Sequence, residues 1–270
     1  MVAMVAMSVR WPVPLVMSLA MSLFCVDARP ALGQSAGSTL PPAAFVPPSR
    51  RMIPGDTSLR PGRIRVDTLT YTLTGYRDGD EIPVGTIVDV TTREGVATPL
   101  IRRVLTVTRG TALLVDSTLT DAKTLAPRQH RSVQPQRMLR IDMAGVRVRG
   151  TIGPVNAPGV AIDTTLSFPV FDSGNWDMIV RAMPLAPDFA TVFRVYDLEN
   201  GMRDYVVRVI GSTTMYGEPA HVVLFRLGAG SEATVWIGAH TRRLLQVETP
   251  VGPTTLLRQT LRVMDARSPQ

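Results

Sequence analysis

At 270 residues, 45% of them hydrophobic, the chain carries enough apolar surface for a sizeable core in one large β domain or two small domains. Its formal net charge of +7 is almost wholly arginine, because Lys123 is the only lysine. The arginines are scattered, as in Arg63 and Arg65, Arg102 and Arg103, Arg147 and Arg149, or Arg242 and Arg243, instead of gathered on one element with interleaved aromatics. That argues against a nucleic-acid partner and assigns them to strand faces and edges in solvent, with lipid headgroups or acidic glycans as the alternative anionic surface.

The first residues read as a secretory signal peptide over 1–33. Arg10 precedes an apolar run from Trp11 to Val26, small residues follow at Ala31 and Gly33, and cleavage is expected before Gln34. The run is short for a spanning helix and carries Pro12 and Pro14, so the chain is expected to be periplasmic or secreted and peripheral to a membrane at most. Met1, Met4 and Met7 are alternative starts for the same signal. Cys25, the single cysteine, would be acylated in a lipoprotein, but Phe24 before it is too large for such a processing site. Cleavage after Gly33 would leave a chain with neither disulfide nor thiol chemistry.

Residues 34–62 are rich in Pro, Ser, Ala and Gly and read as a disordered linker. Residues 63–265 read as one antiparallel β domain. "IRVDTLTYTL" is β-branched and aromatic, with a parity shift between Val66 and Leu69 that suggests a bulge. In "LIRRVLTVTRG", Ile101, Arg103, Leu105 and Val107 alternate with Arg102, Val104 and Thr106. "RMLRIDMAGVRVRGTI" reads as a hairpin about Ala144 and Gly145. Further hairpins are expected at Asn200-Gly201, at Gly228-Ala229-Gly230 and around Gly252-Pro253. The fold class is all-β and mainly antiparallel, a curved meander or incomplete β-barrel.

One segment breaks this habit. Asp172 or Ser173 can cap a helix over about 173–183, in which Trp176, Ile179, Val180 and Met183 share a face until Pro184. It is expected across the concave side or open end of the sheet, with Trp176 as a plug and Asp177 and Arg181 as a surface ion pair.

Candidates for chemistry are few. His130, His221 and His240 are the only histidines, none at metal-ligand spacing from another, and His221 and His240 read as structural or surface residues. No nucleophile elbow, Walker loop or dinucleotide fingerprint occurs, and "GAGSEATVW" joins two strands. Asp78, Asp80 and Glu81 sit at a hairpin tip, where a weak calcium site is conceivable. No catalytic residue, metal ligand or cofactor is assigned.

The order "VGTIVDVTT", "VDSTLTDAKTLAPRQHRS", "GVRVRGTI", "FPVFDSGNWDMIVRAMPLAP" and "TVWIGAHTRRLLQVE" resembles domain of unknown function family 3108, over about Ile64 to Met264. The resemblance implies a secreted bacterial protein with an incomplete barrel and a helix at its mouth, similar in outline to periplasmic lipoprotein carriers. It implies no activity.

The expected function is a non-enzymatic binding module holding an apolar or amphipathic, lipid-like molecule in the concavity, with Leu105, Phe193, Val207 and Phe225 as candidate lining residues. The alternative is a structural or protein-interaction domain of the envelope with an exposed sheet edge, whose partner is an envelope protein. A hydrolase, the third reading, requires carboxylates or histidines converging in an open cleft. A membrane-spanning barrel ranks low, because aromatics are only 6% of the chain.

Overall fold

The computed structural model describes residues 51–262, except 198–200 and 229–230. The expected signal peptide, residues 34–50 of the expected linker, the turn residues Asn200, Ala229 and Gly230, and residues 263–265 lie outside the described residues.

The described chain is almost entirely strand. The first half holds β1 (Arg51–Met52), β2 (Asp67–Arg77), β3 (Asp80–Glu94), β4 (Leu100–Arg109), β5 (Ala112–Asp121), β6 (Pro127–Val133), β7 (Arg137–Ala144), β8 (Arg147–Pro154) and β9 (Val160–Thr165). After β10 (Phe171–Asp172), a 3-10 turn (Ser173–Asn175) leads into α1 (Trp176–Ala182). The second half runs through β11 (Ala190–Asp197), β12 (Gly201–Met215), β13 (Glu218–Gly228), β14 (Ser231–Gly238), β15 (Leu244–Pro250) and β16 (Thr255–Leu261).

These strands form one sheet in the order β1, β11 to β16, then β2 to β9, with β10 paired to β11 off that path. Sequential neighbours pair as antiparallel hairpins, while β1 and β10 each run parallel to β11. The two halves meet where β16 lies antiparallel to β2, with Leu261 opposite Tyr71 and Leu257 opposite Gly75. The expected bulge near Leu69 is absent: Leu69, Tyr71 and Leu73 keep one parity, and the register shifts instead between Leu73 and Thr74.

The sheet curls around α1. The helix touches the first half at β4, where Arg103 bonds Asp177, and the second half at β13, where Phe225 stacks on Trp176 at 4.5 Å. Phe171, Phe193, Tyr205 and Phe225 pack edge-to-face or stacked beside it, in a core running from Tyr71 and Ile101 to Val235 and Ile237. A second, smaller core lies under β7 and β8, from Leu139, Ile141, Met143 and Val148 with Val170 and Tyr196.

Two expectations need correction. Residues 51–62 are not linker: Met52 and Leu59 are buried in the main core, and the Arg60 amide donates to the Ala182 carbonyl at the end of α1. Two well-spaced apolar side chains anchor a stretch whose Pro, Gly and Arg content reads as solvated. Nor is α1 amphipathic in the ordinary sense, because all seven of its residues are buried, Asp177 and Arg181 included. A helix enclosed by a curled sheet has no solvent face.

Candidate functional site

The inner face of the first half carries a polar row. On β3, β4, β5 and β6, the inward residues Thr91, Arg103, Thr118 and His130 stand opposite one another in register. The next row is Asp89, Leu105, Asp116 and Ser132. Apart from Leu105, all are buried.

The chain entering α1 brings matching polar groups to this face. Arg103 donates from Nε and Nη2 to Asp89 at 3.0 and 2.9 Å, and from Nη1 and Nη2 to Asp177 at 2.5 and 3.0 Å. Asn175 accepts from the Thr118 hydroxyl at 2.7 Å and donates to Thr120 at 3.0 Å. His130 lies between two carboxylates, with Nε2 2.6 Å from Asp116 and Nδ1 3.0 Å from Asp172. Asp172 also accepts the Gly174 amide at 2.9 Å, so of the two expected caps it is Asp172 that caps. It caps the 3-10 turn leading into α1, whose own N-cap position, Asn175, makes no side-chain cap bond.

The electrostatics follow from burial. Desolvation alone would lower the pKa of His130, but the charges of Asp116 and Asp172 outweigh it and hold the imidazole well above its ordinary value. Desolvation likewise opposes the charge on Arg103, and Asp177 and Asp89 restore it, so the guanidinium stays ionised. Tyr71 is pushed far above the usual phenol value by burial and then by Asp89, and stays neutral.

Histidine and carboxylates thus converge, but behind the protein surface: His130, Asp116 and Asp172 are each at most 5% exposed. A hydrolytic role needs access for substrate and water, and here there is none. The arrangement's chemistry is positional, with two charge clamps and an amide bridge pinning the turn and first residues of α1 to β3 through β6. Asp177 and Arg181 are corrected accordingly. They are a buried pair 4.0 Å apart, with Asp177 committed mainly to Arg103 and Arg181 donating to the Arg242 carbonyl at 2.7 Å.

The concavity is filled as well. Phe193, Val207 and Phe225 are fully buried, and Leu105 packs against the same core. The four candidate lining residues are core, and Trp176 is the plug that covers them. Asp78, Asp80 and Glu81 are exposed at the β2–β3 tip, where Glu81 takes a 3.4 Å contact from the Tyr76 hydroxyl.

Open space lies instead at the end of the sheet where α1 terminates. The β14–β15 turn, 239–243, docks there: the Arg242 carbonyl accepts Arg181, and Thr241 is held by Glu218 through its hydroxyl and amide. Arg242 adopts a left-handed backbone, φ 55°. On one side, Thr241 and Arg243 join Thr68, Leu69, Thr70, Leu245 and Leu261 around a groove of about 540 Å³. Arg243 is fixed by Asp67 at 3.1 Å. On the other side, His240 and Arg242 face Gly62, Arg63 and Arg65 across a cleft of about 480 Å³. His221, nearby, is lowered by burial and by the charge of Arg242. Sequence reasoning passed over both openings, because "GAHTRR" reads as an ordinary polar turn and only the fold brings residues 62–70 against it.

A family model described as "Protein of unknown function (DUF3108)" matches residues 70–259, more than half of the chain. No curated protein matches significantly. Among solved structures, a beta-barrel-like protein of domain of unknown function DUF1849 from Brucella abortus is similar at 12% identity and TM-score 0.46, covering 78% of this chain and 97% of that one. A putative lipoprotein from Parabacteroides distasonis is similar at 9% identity and TM-score 0.26, covering 76% and 98%.

Proposed function

The chain belongs to the DUF3108 family of proteins of unknown function, and from that premise we propose that it is a non-enzymatic binding module of the bacterial envelope, taking an amphipathic, lipid-like ligand at the α1 end of the sheet. The groove carries this reading. Leu69, Leu245 and Leu261 give it an apolar floor, and Thr68, Thr70, Glu218, Thr241 and Arg243 give it a polar rim. Its volume of about 540 Å³ lies within the range of small-molecule sites. The signal-like first residues support the envelope address. The interior is unsuited to the task, being occupied by α1.

The test is native mass spectrometry of the chain from Gln34, prepared from a periplasm without detergent, followed by organic extraction. A lipid bound in near-stoichiometric amount, and reduced when Thr70→Tyr obstructs the groove, supports the reading. A bare mass that stays bare after incubation with envelope lipids removes it.

A second reading rests on β9. This strand ends the sheet order with its outer edge bonded to no strand among the described residues, and Val160 on it is 71% exposed. A partner's strand could extend the sheet there. Ala161→Pro would block such pairing, and capture of one envelope protein by the parent but not by this variant would favour it.

A further inference from the structure

We infer that the cleft between the Pro61–Arg63 turn and the β14–β15 turn is an oxyanion site, suited to a phosphate group. The inference is independent of the apolar groove and would hold if that groove bound nothing.

The cleft is lined by Arg63, Arg65, His240 and Arg242 with Gly62 and Ala239, and no carboxylate lines it. Two other arginines near this end have committed acids, Arg243 with Asp67 and Arg103 with Asp89 and Asp177, while Arg60 and Arg93 are taken up by backbone carbonyls. Arg63, Arg65 and Arg242 form no ion pair among the described residues.

Arg242 is the second, independent sign. It is 5% exposed, its Nε is buried without a hydrogen-bond partner, and the one bond from its guanidinium is a long 3.5 Å contact to the Met183 carbonyl. A guanidinium desolvated to this degree is ordinarily matched by an anion. Instead it faces more positive charge: burial, then the proximity of Arg63, press its pKa below the ordinary arginine value. Behind it Arg181 adds another cation, whose Nη2 is also unpartnered. Asp89 and Asp177 serve Arg103 and Arg181, whereas Arg242, on the cleft side of them, has no ion pair among the described residues.

The fold holds this repulsive cluster in place. Arg181 grips the Arg242 carbonyl, Glu218 grips Thr241, and the Ile64 side chain is buried between Arg63 and Arg65. An oxyanion entering the cleft would relieve the repulsion without rearrangement. Planar, multiply donating guanidinium groups favour phosphate over a halide. The phosphate could be free or carried on a lipid headgroup, and the test separates the two.

The chain is titrated in a phosphate-free buffer with inorganic phosphate by calorimetry, and in parallel with phosphatidylcholine vesicles with and without phosphatidic acid by cosedimentation. The variant is Arg63→Gln with Arg65→Gln, two exposed positions whose replacement leaves the core intact, and Arg147→Gln on β8 is the control. Saturable one-to-one phosphate binding, weakened about tenfold or more in the double variant and unchanged in the control, supports a site for free oxyanions. Selective binding to phosphatidic acid vesicles without phosphate saturation, lost in the double variant alone, supports a headgroup site. Absence of both up to about 10 mM phosphate, or binding that the double variant leaves unchanged, overturns the inference.

Discussion

Arg103 and Asp177 lie 74 residues apart in sequence and are joined by two hydrogen bonds of 2.5 and 3.0 Å inside the curled sheet, each residue at most 5% exposed. The same guanidinium holds Asp89, so one side chain closes two carboxylates at once. Arg103→Met should therefore cost more than a pairwise contact, leaving buried Asp89 without a cation and Asp177 with only the Arg181 contact at 4.0 Å, on the order of 3–5 kcal/mol. Urea denaturation followed by circular dichroism measures it. The triple variant Arg103→Met, Asp89→Asn, Asp177→Asn should recover part of the loss, since it removes the stranded charge.

His130 makes stability depend on pH. Its folded pKa is raised well above 6.5 by Asp116 and Asp172, against the opposing effect of burial. The unfolded imidazole loses its proton near pH 6.5, so between that value and the higher folded pKa the native state binds more protons. The stabilisation is fully present below about pH 6.5 and declines as pH rises toward and through the folded pKa. Urea midpoints over this range should fall with pH in the parent and lose that dependence in His130→Asn. Should that variant not fold, the imidazole carbon shifts of the parent, followed by NMR, should report a ring still protonated above pH 7.

Gly174 sits against the same histidine. A β-carbon there would come 2.7 Å from His130 Cε1, closer than any ordinary contact. Gly174→Ala should displace the ring from its carboxylates and lower stability by roughly 1–3 kcal/mol. The pH dependence should weaken with it. Equal stability and an unchanged pH profile would show that the ring has room to yield.

Trp176 stacks on Phe225 at 4.5 Å and 24° between planes, and is 6% exposed. Trp176→Ala should cost about 3–5 kcal/mol through the space it leaves. Trp176→Phe should recover much of that. Because the groove is lined by other residues, ligand binding measured on the folded Trp176→Phe variant should equal that of the parent.

Strand and turn were largely legible in the sequence, since hydrophobic alternation in "RMLRIDMAGVRVRGTI" requires only local reading. The structure shows the hairpin as β7 and β8, with Leu139, Ile141 and Val148 inward. β6 was not legible. Its inward residues are His130 and Ser132, so "PRQHRSV" shows no apolar parity although it is a core strand. A weak signal did exist: Asp89 shares the parity of Ile87, and Arg103 that of Ile101, so charge sits where alternation demands apolar side chains. Such charge can be tolerated only if opposite charge arrives from elsewhere, and the supplier is a helix more than 70 residues downstream. The rim openings were hidden for a related reason, because residues 62–70 and 239–245 become neighbours only through the closure of the sheet.

The pairing of β16 with β2 also governs the order of events in making the molecule. Neighbouring hairpins can zip as soon as both their strands exist, yet β16, the last strand among the described residues, lies at the middle of the sheet beside β2. Closing the long loop from β2 to β16 must precede that contact, which slows folding. Two half-sheets with open edges are the species to expect before then. A nonsense codon before Thr255 would accordingly leave two unjoined halves, not a slightly shorter barrel.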